Sequence, residues 1–207
     1  MILSRQKQFI FIANVKTAST SIETALKKYA DIHVRTTRSG KHMSMREVEN
    51  TFIQHWPVKY IGEAGGYFKF GVIREPVSWF LSIYNSHSKR SFLGTPQYTG
   101  DITVEDYLER LSGGFSGIQW QLRDQRLRFC NNRGELAIDY LIRYENLKTD
   151  FRYVNERLGL EVNLPHANKS PEKACIADLE ASTRKRIESL YAEDYRFYQE
   201  YAGRIPE

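Results

Sequence analysis

Apolar and polar positions along this chain follow two alternating rhythms. Phe9 to Ala13 is an unbroken apolar run with the length of a short strand buried on both faces. Ile22, Ala25, Leu26 and Tyr29 follow with the spacing of one helical stripe, which completes a strand–helix unit. A second unit lies in "YFKFGVIREPVSWFLSIYNSHSK": Phe68 to Ile73 predict a buried strand, Pro76 suits a first helical turn, and Val77, Phe80, Leu81 and Tyr84 trace the helix. A weaker strand is expected at Ile32 to Thr36. Ser44 with Glu47 three residues on is a capping box that starts a helix at Met45, with His42 just outside it. Thr103 with Asp106 repeats that signal before Val104, Tyr107, Leu108 and Leu111, after a Gly-, Pro- and Thr-containing loop over residues 91–101.

Farther along, "RLRFCNNRGELAIDYLIRYENL" reads as two strands around an Asn131-Asn132-Arg133-Gly134 turn. The next helix carries Leu147, Phe151, Val154 and Leu158 and stops at Gly159. The polar loop "NLPHANKSPEKA" then separates it from a last helix spanning Ile176 to Tyr201. Alternation of this kind predicts an α/β fold: a mostly parallel central sheet flanked by helices, with ligands gathering at the carboxyl ends of the strands.

The chain has 207 residues, 41% of them hydrophobic, enough for a full core, and it is expected to form one domain over residues 1–207. The charge excess of +5 favours anionic ligands but lacks the clustered basic runs of a nucleic-acid binder. Cys130 and Cys175 have neither the number nor the spacing for a disulfide framework or a zinc site. No apolar run reaches the roughly 18 residues of a membrane span, and no apolar leader precedes the first strand. A soluble, cytoplasmic protein is expected.

The chemistry concentrates at the first strand–helix joint, "NVKTASTS". Free amides and the positive end of a helix dipole stabilise an anion there before any side chain contributes. Lys16 adds a full charge, and Thr17, Ser19, Thr20 and Ser21 add four hydroxyls in five positions. A plainer alternative is that Ser19 or Thr20 only caps the helix while Lys16 is solvated. The glycines of a nucleoside-triphosphate loop, G-x-x-x-x-G-K-[ST], are missing, as is a G-x-G-x-x-G.

"NVKTASTS" resembles the P-K-T-G-G-T-S loop of sulfotransferases that use 3′-phosphoadenylyl sulfate (PAPS), where it holds the 5′-phosphosulfate. "FKFGVIREPVSWFLSIY" is similar to the family's strand and helix that bind the 3′-phosphate, with Arg74 and Ser82 on the arginine and serine. "IRYENL", "LPHANKS" and "LYAEDYRFY" continue the likeness in the family's order over most of the chain. Val15 stands for the family's proline, and Ala18 and Ser19 for its two glycines, which leaves the loop backbone less free.

The resemblance implies a P-loop-like PAPS sulfotransferase fold of the carbohydrate-modifying branch, acting on a carbohydrate or small hydroxylated acceptor without a metal. It implies that Lys16 neutralises charge on the leaving phosphate and that Lys16, Thr17, Ala18, Ser19, Thr20 and Ser21 hold the 5′ end of the donor. Arg74 and Ser82 would grip the 3′-phosphate, with Lys169 and Ser170, beside Asn168, approaching the same side. His42 in "GKHMS" resembles the element that carries a histidine base, and Glu63 and Glu75 are fallback bases. His33, His55, His87 and His166 are the other histidines, and His166 looks more like part of the loop over the nucleotide. Gln119, Trp120, Gln121 and Arg123 fall in a segment that could line the acceptor groove or simply pack. Two rival functions stay open: a nucleotide kinase or hydrolase using the same loop, and a non-catalytic nucleotide- or glycan-binding module.

Overall fold

A computed structural model of the chain describes residues 1–35, 41–55, 63–113, 124–165 and 173–204. Five strands form one sheet: β1 (Ile2–Ser4), β2 (Phe9–Ile12), β3 (Ile32–His33), β4 (Phe68–Ile73) and β5 (Tyr140–Arg143), in the order β3-β1-β2-β4-β5. The sheet is mixed, which corrects the expectation of a mostly parallel one. β2, β4 and β5 run parallel, whereas β1 pairs antiparallel with both β2 and β3. The reason is chain length. Only Arg5 to Gln8 separate β1 from β2, and so short a link can close a hairpin but cannot make a parallel crossover.

β2 and β4 each alternate their side chains between two buried faces, which is why both read as continuous apolar runs. Phe9 and Phe11 join Phe70, Val72, Ile142, Ile22 and Phe151 on one face, beneath α1 (Ser19–Leu26) and α5 (Leu147–Leu158). Ile10 and Ile12 join Leu141, Phe129, Met45, Val48 and Phe197 on the other, beneath α2 (Met45–Val48) and α7 (Ala192–Tyr201). A third cluster packs α3 (Pro76–His87), α4 (Val104–Ser112) and α6 (Ala181–Leu190) around Phe80, Tyr84, Tyr107, Leu108, Ile187 and Tyr191.

Both capping boxes form, at Ser44/Glu47 and Thr103/Asp106, and Gly159 ends α5 in the left-handed conformation at φ 57°. Three expectations are revised. The weak strand is confined to Ile32–His33. The Asn131–Gly134 turn joins only an isolated bridge, Cys130 to Leu136, and the true strand is β5. The last helix is two, α6 and α7, broken at Tyr191, whose ring is fully buried and meets Trp79 edge-on at 5.6 Å. Among the described residues no helix is long and apolar enough to cross a membrane.

Gly71, in β4, sits under the Phe129 ring. A Cβ there would lie 2.5 Å from the ring edge and 3.2 Å from the Ile12 carbonyl. Phe129 cannot give way freely, because it is itself stacked on Phe197 with the planes 2° apart. Gly71→Ala is therefore expected to cost about 1–3 kcal/mol in urea unfolding, the range for overpacking a core; an unchanged midpoint would contradict this packing.

Candidate active site

The loop between β2 and α1 is built by fixing its carbonyls. The Ala13 carbonyl meets His42 Nδ1 at 3.0 Å, that of Asn14 accepts the Thr17 hydroxyl at 3.2 Å, and that of Val15 accepts the Trp79 indole N–H at 2.7 Å. The Lys16 carbonyl accepts from Arg74 at 3.3 Å, and that of Ala18 accepts the amides of Ser21 and Ile22. Among the described residues, the amides of Thr17, Ala18, Ser19 and Thr20 have no such partner. Lys16 and Ala18 both adopt left-handed backbone, at φ 58° and 57°. Such alternation turns successive N–H groups toward one concavity, an anion-binding nest, and here no glycine provides it. The helix opens at Ala18 with no side-chain cap, so neither Ser19 nor Thr20 is the capping residue.

The hydroxyls divide. Thr17 is fully buried and its hydroxyl donates to the Asn14 carbonyl at 3.2 Å. Ser19 and Ser21 are buried and their hydroxyls form no hydrogen bond among the described residues, and the exposed Thr20 hydroxyl accepts from Lys41 Nζ at 2.9 Å.

Cations gather beside this nest. Burial, then Lys89 and Arg74, lower the Lys16 ammonium to about 8. Arg74 leaves the carboxyl end of β4 with its guanidinium 4.1 Å from the Tyr144 ring centre and its Nε bonded to Ser78 at 2.8 Å. Among the described residues it forms no ion pair with Glu75 or Glu145. Those carboxylates are used elsewhere: Glu75 caps α3 at Val77 and Ser78 and takes the Tyr195 hydroxyl, and Glu145 holds the Glu75 amide and the Tyr198 hydroxyl. Ser82 is half-buried one turn beyond Ser78, on the same face of α3.

His42 sits at the same end of the sheet. Because a carbonyl can only accept, the contact with Ala13 puts the proton on Nδ1 and leaves the Nε2 lone pair as the basic site. Its backbone carbonyl accepts from Arg128 at 2.5 Å, and burial lowers the imidazole to about 4, so the ring is neutral near pH 7. His87 ends α3 with its ring 4.5 Å from that of Phe92; burial, then Lys16, lower it to about 4.

Glu63 does not belong here. It lies before β4, at the amino-terminal end of the sheet, lining an open cleft of about 690 Å³ with Arg5, Gln6, Gln8, Gly66 and Tyr67. Glu75 is committed to its cap. Neither fallback base faces the nest. His33 approaches Glu23 at 3.8 Å, and His55 is exposed. His166, Asn168, Lys169, Ser170, Gln119, Trp120, Gln121 and Arg123 lie outside the described residues.

A profile described as the sulfotransferase family matches residues 1–202. The chain belongs to the sulfotransferase family. No curated protein matches the sequence.

In this sulfotransferase several residues that shape the site were not among the expected site residues. Trp79 anchors the loop backbone from α3, and Arg128 holds the His42 main chain from a buried position. Asn14 donates to Val72 at 3.3 Å and to Gln125 at 3.1 Å while its own Oδ1 accepts the Val15 amide at 2.7 Å. A polar residue directly after an apolar strand, as Asn14 is after Ala13, was the one local signal for any of them.

Left-handed backbone costs a residue with a Cβ about 1–2 kcal/mol, and glycine carries its own entropic penalty of about 0.5–1 kcal/mol. Ala18→Gly should therefore leave stability unchanged or raise it by up to about 1 kcal/mol, whereas Ala18→Val should lower it by at least that much. Urea unfolding of the pair checks the conformation: equal losses in both would mean that residue 18 is not left-handed.

Proposed function

We propose that this enzyme moves a sulfuryl group from PAPS to a hydroxyl of a carbohydrate or small hydroxylated acceptor. The observation that carries the reading is the pairing of two separate anion-holding ends, a nest of amides with Lys16 on one side and Arg74 on the other. A donor with phosphosulfate at its 5′ end and phosphate on its ribose needs both. Bound there, PAPS supplies a sulfuryl group already activated as a mixed anhydride with phosphate.

The chain's residues would then work by position and charge. The amides of Thr17 to Thr20 hold the 5′ end, with Ser19, Thr20 and Ser21 beside them. Arg74, oriented by Ser78 and Tyr144, takes the 3′-phosphate, with Ser82 one turn farther along. Lys16 stabilises the negative charge that grows on the leaving phosphate as the bond from sulfur to the bridging oxygen breaks. The acceptor oxygen forms the new bond to sulfur, and its proton passes to His42 Nε2.

His42 is favoured over His87 for that step on geometric grounds. The Ala13 carbonyl fixes the His42 proton on Nδ1 and leaves Nε2 as the base, whereas His87 Nδ1 is buried with no hydrogen-bond partner among the described residues. Neighbouring cations disfavour charge at both rings, Lys41 and Arg128 at His42 and Lys16 at His87. The kinase or hydrolase reading is weaker: it calls for a glycine-bearing phosphate loop, and the carboxylates nearest Arg74 are bound up in helix capping and tyrosine contacts.

Two measurements test the reading. His42→Ala is expected to lower the turnover of labelled sulfate by about 10²–10⁴-fold while changing the affinity for adenosine 3′,5′-bisphosphate (PAP) by less than about twofold. His87→Ala should retain turnover, and the reverse pattern would reassign the base. The second is calorimetry near pH 8 in buffers of different ionisation enthalpy. An anion against Lys16 raises its depressed pKa from about 8 toward the ordinary value. PAP binding should therefore take up as much as about half a proton, an uptake lost in Lys16→Met. Tighter binding of ATP with magnesium than of PAP would overturn the donor assignment.

A further inference from the structure

The parallel ladder between β2 and β4 has its last rung at Ile12 and Gly71. Past it the strands lead to Asn14 and Arg74, the roots of the two anion-holding ends, with no backbone pair between them. Side-chain bonds take the place of the missing rung: Asn14 Nδ2 reaches the Val72 carbonyl, Arg74 reaches the Lys16 carbonyl, and Gln125 joins the two strand ends. Gln125, fully buried, accepts from Asn14 Nδ2 and from the Arg74 amide, each at 3.1 Å, and donates from Nε2 to the Arg74 carbonyl at 2.8 Å. Both lone pairs of its oxygen are thus used, one for each strand.

Gln125 is in turn held from behind. Asp194 of α7, also fully buried, accepts the Gln125 amide at 2.8 Å and the Arg126 amide at 2.9 Å, one on each carboxylate oxygen. Arg126 begins a short turn, Arg126–Arg128, whose last member holds His42. The carboxamide therefore bonds Asn14, which opens the Lys16 loop, and the backbone of Arg74, and the turn that follows it holds His42.

We propose that Gln125 is a positioning residue that sets the spacing between the Lys16 loop and Arg74, with Asp194 fixing Gln125 in place. This rests on the donor reading above. A ligand that spans both ends gains from their being held at its own length, and a ligand that occupies one end gains nothing. The role is one of span, and span can be read separately from stability.

The test compares PAP, which reaches both ends, with 5′-AMP and 3′-AMP, which reach one each. Binding is measured by calorimetry on the full chain, on Gln125→Met, which keeps the bulk of the side chain, and on Asp194→Asn, which removes one of the two acceptors behind it. Each variant is expected to lose PAP affinity by about tenfold or more while either mononucleotide changes by less than about threefold. In turnover, KM for PAPS should rise and KM for the acceptor should stay. Asp194→Asn carries the test alone if Gln125→Met does not fold.

An equal loss for PAP and both mononucleotides would reduce Gln125 to a structural residue and overturn the proposal. So would an unchanged preference for PAP in both variants. If the unaltered protein itself binds PAP no better than 5′-AMP, the donor reading fails first and the clamp with it, an outcome distinguishable from the other two.

Discussion

The site depends on where the carbonyls of residues 13–18 are tied. Each named carbonyl of that loop is held from outside or from the helix it opens, by His42, Thr17, Trp79, Arg74 and the amides of Ser21 and Ile22. A peptide plane whose oxygen is fixed has its N–H direction fixed too. Two left-handed residues with side chains are the cost, on the order of 1–2 kcal/mol each, and several hydrogen bonds at about 1 kcal/mol apiece outweigh it. Glycine is one route to left-handed backbone in such a loop; over-determination by neighbours is another.

The electrostatic consequence is a site held in tension. Lys89 and Arg74 both disfavour charge on the partly buried Lys16, and Lys16 in turn disfavours charge on His87. Glu75 and Glu145, although bonded to α3, Tyr195 and Tyr198, favour the cation at Arg74. An arriving dianion would offset the repulsion at Lys16. On the donor reading proposed above, part of the affinity for the anion would be repulsion already present in the empty protein, delivered where the leaving phosphate would accumulate charge.

What was legible in the sequence is local. Capping boxes at Ser44 and Thr103, the stop at Gly159, and charged residues at the ends of apolar runs all announce themselves within a few positions, and they led to Lys16, Arg74 and His42. β1 was missed because Ile2–Ser4 is too short to establish a period, although the four-residue link after it already forbids a parallel partner. The break at Tyr191 has neither glycine nor proline to mark it. Glu63 looked eligible because a one-dimensional pattern does not say at which end of a strand a neighbouring loop lies.

Gln125 and Asp194 belong to a different class, since their meaning resides wholly in distant pairings. Gln125 bonds residues 111 and 51 positions away, and Asp194 reaches back 69. Uncharged carboxamides are common, and one buried between two strand ends differs from any other only in its surroundings. Burial nonetheless makes it consequential. With the ladder ended at Ile12 and Gly71, removing the carboxamide would strand the part-buried amide and carbonyl of Arg74, and a fully buried orphan would cost about 1–3 kcal/mol. The opening of the sheet that makes room for a ligand thus also creates the unsatisfied groups that a cross-strand side chain must answer, and the answer fixes how wide the opening can be.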